Sequence, residues 1–127
     1  MKHKIQNGQA LVTLLFFMIV SITITTAAVM IVVTNSIGAS KIQQGEIGFS
    51  VAESGMENAL IRLLRNPSYS GETLDVGNGE GIITVSGTSP IIITSEGFEG
   101  NFKRTIEVQA QYVNSILTVT SWKEKFQ

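Results

Sequence analysis

The feature that most constrains this chain is a stretch without charged side chains between Lys4 and Lys41. Within it, residues 10–33 are mostly apolar and would span about 36 Å as a helix, at roughly 1.5 Å per residue. That length exceeds the hydrocarbon core of a bilayer, about 30 Å, and the apolar region of a secretory signal, about 7–15 residues. Lysines on its N-terminal side predict an N-in, C-out orientation. We therefore predict one membrane-spanning helix with a small domain outside the cytoplasm.

The composition narrows the functional classes. The 127 residues leave room for one modest domain, and a net charge of −1 gives no reason to expect nucleic acid as a partner. The chain has no cysteine, and its single histidine is His3, at the N-terminus. The chain therefore cannot form a disulfide or a thiolate site, and most histidine-based catalytic mechanisms are excluded. We nominate no cofactor and no catalytic residues, and predict that the protein is not an enzyme.

Hydroxyl side chains are scattered through the apolar run, at Thr13, Ser21, Thr23, Thr25 and Thr26. In lipid such side chains let helices approach closely and bond to one another. Alternatively, each hydroxyl bonds back to a carbonyl of the preceding turn of its own helix. The sequence leaves both possibilities open.

The segment after Lys41 keeps a helical pattern, because apolar residues recur in it at steps of three, four and seven. Asn66-Pro67 ends the pattern, since a residue before proline is disfavoured in the helical conformation. This predicts one helix from about Gln9 to Arg65, membrane-apolar first and amphipathic afterwards. Glu53 and Glu57 are assigned to its solvated side. The glycines in this region predict a helix that either bends or is supported by neighbours; they are Gly38, Gly45, Gly48 and Gly55.

The remainder of the chain is typical of β-strands. Runs of β-branched residues at 81–87, 90–98 and 116–122 are bounded by glycine, proline or an Asn-Ser pair, and residues 72–76 are a shorter candidate. Residues 102–113 alternate apolar and polar, which predicts a strand with one buried face. The fold class expected is α+β, a long N-terminal helix packed on a small antiparallel β-meander. The expected helix–sheet contact joins Phe49, Ala52, Met56, Leu60 and Leu63 to Ile106, Val108 and Ala110.

One loop segment, "DVGNGEG" at 75–81, has two interpretations. Carboxylates at Asp75 and Glu80 among glycines are a weak candidate for a Ca²⁺ site. The spacing matches no known calcium loop, and Asn-Gly is by itself a hairpin signal. We favour a turn and assign no metal.

The N-terminus resembles that of the type IV pilin-like superfamily, whose precursors carry a short basic leader ending in glycine. Gly8 matches that glycine, with Lys2 and Lys4 before it and "QALVTLLFFMIV" after it. "AESGMENALIRLL" is also similar to the amphipathic helix of PilX-type and K-type minor pilins and pseudopilins. The resemblance implies cleavage between Gly8 and Gln9 by a prepilin peptidase, methylation of Gln9, and retention of the apolar run in the mature subunit.

The chain departs from the family pattern at Thr13, where major pilins carry a glutamate at the fifth mature position. In the family that glutamate is thought to neutralise the N-terminal amine of a neighbouring subunit, and threonine cannot supply the charge. The departure is shared with minor subunits placed at or near a filament tip.

The resemblance therefore implies a structural subunit, minor or at the tip, of a type IV pilus or type II secretion pseudopilus. Its expected partners are the peptidase, other pilin-like subunits and, before assembly, membrane lipid. The expected division of the chain is a leader (1–8), a filament-core half (9–34), an amphipathic half (35–66) and an extracytoplasmic sheet domain (67–127). The alternative is a single-pass anchored binding module that does not polymerise.

Overall fold

The computed structural model describes the backbone of residues 4–126 and the side chains of residues 8–126. The chain forms one long helix followed by five strands, and it divides into two compact units, Met1–Ser40 and Lys41–Gln127. The elements are α1 (Lys4–Arg65), β1 (Gly71–Val76), β2 (Gly79–Ser86), β3 (Ile91–Glu99), β4 (Phe102–Val113) and β5 (Ile116–Lys125). The predicted α+β class, a long N-terminal helix packed on an antiparallel sheet, is confirmed.

The helix α1 begins at Lys4, five residues before the expected start at Gln9. Gly8 lies inside it, because one glycine costs a helix only about 1 kcal/mol and no proline interrupts this part of the chain. At the other end, the amide of Asn66 still donates to the carbonyl of Arg62 at 2.8 Å, and Pro67 follows. Arg62 and Arg65 in the last turn favour that end, where the helix dipole is negative.

The five strands form a meander in the order β1-β2-β3-β4-β5, with every neighbouring pair antiparallel. Three of the four connections are two-residue turns. Asn114 and Ser115 both have positive φ, 52° and 65°, as a type I′ hairpin turn requires. The turn after β1 is centred on Gly77 and Asn78, one position earlier than an Asn-Gly turn, and Gly77 provides the positive φ of 63°.

Strand β5 extends to Lys125, three residues beyond the predicted end at Trp122. Its charged end is accommodated because each side chain there meets an opposite charge on β4. Lys123 and Lys125 bond to Glu107, and Glu124 bonds to Arg104.

The core of the second unit lies between residues 49–63 of α1 and one face of the sheet. The eight residues expected at this contact all lie in the core or against it. Six are fully buried (Ala52, Met56, Leu63, Ile106, Val108, Ala110), and two are partly buried at its margin (Phe49, Leu60). The hydroxyl of Tyr112 also donates to the carbonyl of Leu63, which ties the helix to β4.

The helix and the sheet touch backbone to backbone at Gly97. A Cβ atom on Gly97 would lie 2.1 Å from the carbonyl oxygen of Gly48 and 2.4 Å from the amide nitrogen of Ala52. Gly55 is similarly close to Ser95, whose hydroxyl oxygen would lie 2.5 Å from an added Cβ. Gly55 is therefore a position of close approach, and Gly48 meets the sheet through its carbonyl oxygen. A Cβ added to Gly48 would make only an ordinary contact, at 3.5 Å, and one added to Gly45 would meet nothing within 4 Å.

The face of β4 that points away from the helix is also buried in its central part. Glu107, on the face away from the helix, is only 8% exposed, and Thr105 beside it is also buried. The lysines of β5 lie across this carboxylate, with Lys123 Nζ at 3.3 Å from it and Lys125 bonded to its other oxygen. Hydrogen bonding to Lys125 holds the pKa of Glu107 below its ordinary value of 4.5, against the opposing effect of burial.

Candidate functional site

The first unit carries an extensive exposed apolar surface. We call it the apolar helix surface and define it by the large hydrophobic side chains of residues 11–37 that are at least half exposed. They are Leu11, Val12, Leu14, Leu15, Phe16, Phe17, Met18, Ile19, Ile22, Ile24, Val29, Met30, Ile31, Val32, Val33 and Ile37. An 18-residue window of this helix has a mean hydropathy of 2.5, and none of it is buried. The chain therefore contains one helix long and apolar enough to cross a membrane.

The apolar helix surface surrounds the helix on all sides. Residues 14–19 are consecutive large hydrophobic residues, and six consecutive positions point in every direction around a helix. A helix that is apolar all round is found in a membrane or in the interior of a larger structure. This half of α1 therefore requires cover that the described residues do not provide.

The threonine hydroxyls on this helix bond within it. Thr13 Oγ1 donates to the carbonyl of Gln9 at 2.9 Å, and Thr25 Oγ1 donates to that of Ser21 at 2.6 Å. Thr23 and Thr26 bond back in the same way, to Val20 and Ile22. Back-bonding, one of the two alternatives left open by the sequence, is observed for these four threonines. These hydroxyls are compatible with lipid, because none needs a partner outside its own helix.

The junction of the basic N-terminal segment and the apolar run lies on exposed helix. Gly8 and Gln9 are both exposed, and an added Cβ at Gly8 would meet nothing within 4 Å. The side chains of Gln9, Thr13 and Phe17 line one open groove along the helix. Lys2 and His3 lie outside the described residues. Nothing described in the chain covers the bond between Gly8 and Gln9.

Asp75 and Glu80, the weak calcium candidates, face each other across the β1–β2 ladder on exposed positions. Two carboxylates directly opposite each other repel. Within the described residues there is no group of three or more potential metal ligands around them or elsewhere. The pair is a concentration of negative charge at one edge of the sheet.

A polar cluster that sequence reasoning missed is centred on Glu72. Its Oε1 accepts hydrogen bonds from Asn58 at 2.8 Å and from the hydroxyl of Tyr69 at 3.0 Å, and it pairs with Arg62 Nε at 2.6 Å. Burial, followed by the hydrogen bond to Glu72, raises the pKa of Tyr69 to about 12. The cluster fastens the end of α1 to β1. Glu72 is the second residue of β1, and no pattern in the sequence indicates that it meets the end of the helix.

Comparisons of the chain with protein-family models, with curated proteins and with solved structures found no match.

Proposed function

We propose that this protein is a structural subunit of a filament of the type IV pilin-like class, a pilus or a type II secretion pseudopilus. The observation that carries the proposal is the apolar helix surface, exposed on all sides on the same chain as a folded sheet domain. Such a surface is covered by lipid before assembly and by the helices of other subunits afterwards. Assembly, and not catalysis, is the mechanism.

The energetic argument follows from the burial of large side chains. Moving one Leu, Ile or Phe side chain from water to an apolar environment contributes about 1.5–3 kcal/mol. Lipid and neighbouring apolar helices both provide that environment, so transfer from the bilayer to a filament core exchanges one apolar environment for another. The threonines do not oppose the transfer, since their hydroxyls are already bonded within the helix.

The start of the mature subunit is proposed at Gln9. The accessible position of Gly8 at the end of the basic leader supports cleavage of the Gly8–Gln9 bond by a prepilin peptidase, with methylation of the new amine at Gln9. In this proposal the peptidase, membrane lipid and other pilin-like subunits are the partners. The N-terminus stays on the cytoplasmic side of the membrane until assembly.

The proposed place in the filament is minor or at the tip, and it depends on Thr13. A buried ammonium without a partner is costly, and threonine offers the amine of a neighbouring subunit no carboxylate. A subunit that begins or caps the filament has no such neighbour to neutralise, so threonine is tolerated there.

Processing tests the proposal directly. Gly8→Glu should block cleavage, while Gln6→Glu, which adds the same charge within the leader, should leave it intact. N-terminal sequencing and intact mass of membrane-extracted protein would identify the mature start. A start at Met1, or one beyond Ala27-Ala28, contradicts the pilin-like assignment and favours an anchor or a secretory signal.

Localisation separates filament assembly from a simple anchor. We expect the processed protein in filaments sheared from the cell surface. A protein that is cleaved at Gly8 but stays entirely in the membrane fraction, in cells that assemble the filament, would instead be an anchored binding module.

A further inference from the structure

Strand β5 is an open edge of the sheet. It is hydrogen-bonded to β4 on one side and has no strand on its other side among the described residues. It contains ten residues, against six in β1, the opposite edge. The unpaired backbone groups of an edge strand can accept another strand.

Two large apolar side chains of β5 lie on the face of the sheet that packs against α1 but are left half-exposed. Trp122 is opposite Val108 and Val119 is opposite Ala110, and both β4 residues are fully buried. Trp122 is nevertheless 45% exposed and Val119 42% exposed. On β5 only Leu117 packs against the core, so a further strand beside β5 would bring new cover to both Trp122 and Val119. Trp122 is the single tryptophan of the chain, and tryptophan is enriched in the energetically dominant positions of interfaces.

The two edges carry opposite net charge on the face away from the helix. At β5, Lys123 and Lys125 share the single carboxylate of Glu107, which leaves one positive charge in excess. At the β1 edge, Asp75 and Glu80 face each other and form no ion pair with any described side chain. The edges are therefore electrostatically complementary to each other.

We propose that β5 of one copy of this protein pairs with β1 of a second copy, so that the sheet continues from one subunit into the next. In an antiparallel meander β1 and β5 run in the same direction. A copy displaced sideways without rotation therefore presents β1 parallel to β5. The two sheet domains keep the same orientation, as two chains inserted in one membrane from the same side require. An antiparallel β5–β5 pair would reverse one of the two copies.

Edge strands are commonly protected from pairing by bulges and by lysine side chains. Strand β5 has both, but they leave its edge available. Thr120 has no direct partner in the β4–β5 ladder, and its hydroxyl donates to the carbonyl of Gln109 at 3.1 Å. This irregularity separates residues 116–119 from a regular segment at 121–125, which is close to β1 in length. Lysines also protect edges by projecting charge. Here one of the two positive charges is balanced by Glu107 on β4, and the other remains for an acidic side chain on a strand that joins the open side.

Cysteine cross-linking of the full chain in membranes tests this pairing, because the native chain contains no cysteine. Thr73→Cys places a thiol on β1 and Ser121→Cys places one on β5. With a short bis-maleimide, the double variant should form a ladder of oligomers, and the two single variants should form dimers only when co-expressed. A cross-linked dimer from Ser121→Cys alone would indicate β5–β5 pairing and overturn the proposal. Equal labelling of both thiols by a fluorescent maleimide, without cross-links, would overturn it as well.

A charge exchange tests the electrostatic part. Lys125→Glu should reduce the cross-linked fraction by about tenfold, the effect of about 1.4 kcal/mol, and by more than the neutral control Lys125→Gln. Adding Asp75→Lys to Lys125→Glu should restore cross-linking. Asp75 and Lys125 lie on opposite edges of their own sheet, so rescue requires a contact between copies. Failure of the rescue overturns the proposed charge contact.

The outcome is independent of the processing experiment. Edge pairing concerns residues 71–125 alone and can fail while Gly8 is still cleaved, or hold in a protein that never enters a filament. If each filament contains one copy of this chain, two copies cannot meet within a filament. The cross-linked oligomers must then come from the copies that are still inserted in the membrane. Cross-links should disappear when those copies are removed.

Discussion

The two halves of α1 share one helical backbone but differ in how their side chains are covered. In residues 8–40 the large apolar side chains are exposed on all sides, and the threonines bond only within the helix. In residues 41–65 one stripe is buried against the sheet, and the charged residues lie elsewhere or pair with strands. The apolar side chains of the first half therefore need cover from lipid or from other molecules. Those of the buried stripe in the second half are covered by the sheet of their own chain. Substitutions should therefore destabilise the isolated second unit strongly, whereas in the first half they should act on insertion and assembly.

The largest effect is expected at Gly97. Gly97→Ala should destabilise a fragment of residues 41–127 by about 4 kcal/mol or more, beyond the usual range for overpacking. The new Cβ would meet backbone atoms of α1, which have no rotamer to move into. Gly45→Ala is the matched control, since its Cβ would enter open space and helix propensity would rise by up to about 1 kcal/mol. Urea unfolding measures both, and equal stability of the two variants would disprove the close contact.

Two adjacent leucines distinguish the buried stripe from the exposed side of the same turn. Leu63 is fully buried, so Leu63→Ala should cost about 2–5 kcal/mol of unfolding free energy. Leu64 is 61% exposed, and Leu64→Ala should change stability by no more than about 0.5 kcal/mol. Leu60→Ala should fall between them, because Leu60 is only partly buried. A Leu64 effect as large as that of Leu63 would show that the face is assigned wrongly.

A smaller effect is expected from Glu107. Its pKa is lower in the folded than in the unfolded chain, so its contribution is present above pH 4.5 and is lost as the pH falls through the folded-state pKa. The stability of the 41–127 fragment should therefore decline on acidification below pH 4.5. Glu107→Gln should flatten that decline, and a profile unchanged by the substitution would disprove the role of this carboxylate. Thermal unfolding of the native fragment and of Glu107→Gln, from about pH 3 to about pH 7, provides the measurement, because carboxylates titrate in the lower part of this range.

Substitution of Ser95 should increase stability, whereas substitution of Gly97 or Leu63 should reduce it. Its hydroxyl is fully buried beside Gly55 and has no hydrogen-bond partner among the described residues. A buried polar group without a partner costs roughly 1–3 kcal/mol. Ser95→Ala should therefore raise the unfolding free energy of the fragment, by about 1 kcal/mol. A loss of stability would mean that the hydroxyl is bonded in solution.

The smallest effect is expected in the first half of the helix, at Thr13. Thr13→Val removes only a hydroxyl that bonds to Gln9 in the same helix, so membrane insertion and filament incorporation should be nearly unchanged. Thr13→Glu should either trap the protein in the membrane, at a cost of a few kcal/mol, or admit it to internal filament positions. Counting the protein against the major subunit in sheared filaments separates these results. The tip position requires about one native copy per filament, on the argument that a buried amine needs a partner.

Much of the fold could be predicted because its signals are local in the chain. The length and apolarity of residues 10–33, the end of the helix at Asn66-Pro67 and the alternation along residues 102–113 each concern neighbouring positions. The eight residues expected between helix and sheet lie in that contact, since periodicity identifies which side of an element is apolar. The Asn-Ser pair that bounds the last predicted strand, Asn114-Ser115, forms the turn between β4 and β5. The sequence predicts a helix start at Gln9, where the chain changes from basic to apolar, but the helix already includes the residues from Lys4 onward. Such a change in side-chain character does not by itself mark the start of a helix.

Only the tertiary structure decided which residues meet across the molecule. The contact of Gly97 with the carbonyl of Gly48, and that of Ser95 with Gly55, exist only because the sheet packs against this part of the helix. The burial of Glu107 depends on the register of β5, which brings two lysines across its carboxylate. These contacts join residues far apart in the chain, and their geometry depends on strand register and helix placement, which no local pattern encodes. The sequence by itself determined that one half of the helix is apolar all round and the other carries a single apolar stripe. That difference depends only on the order of apolar and polar residues along each half.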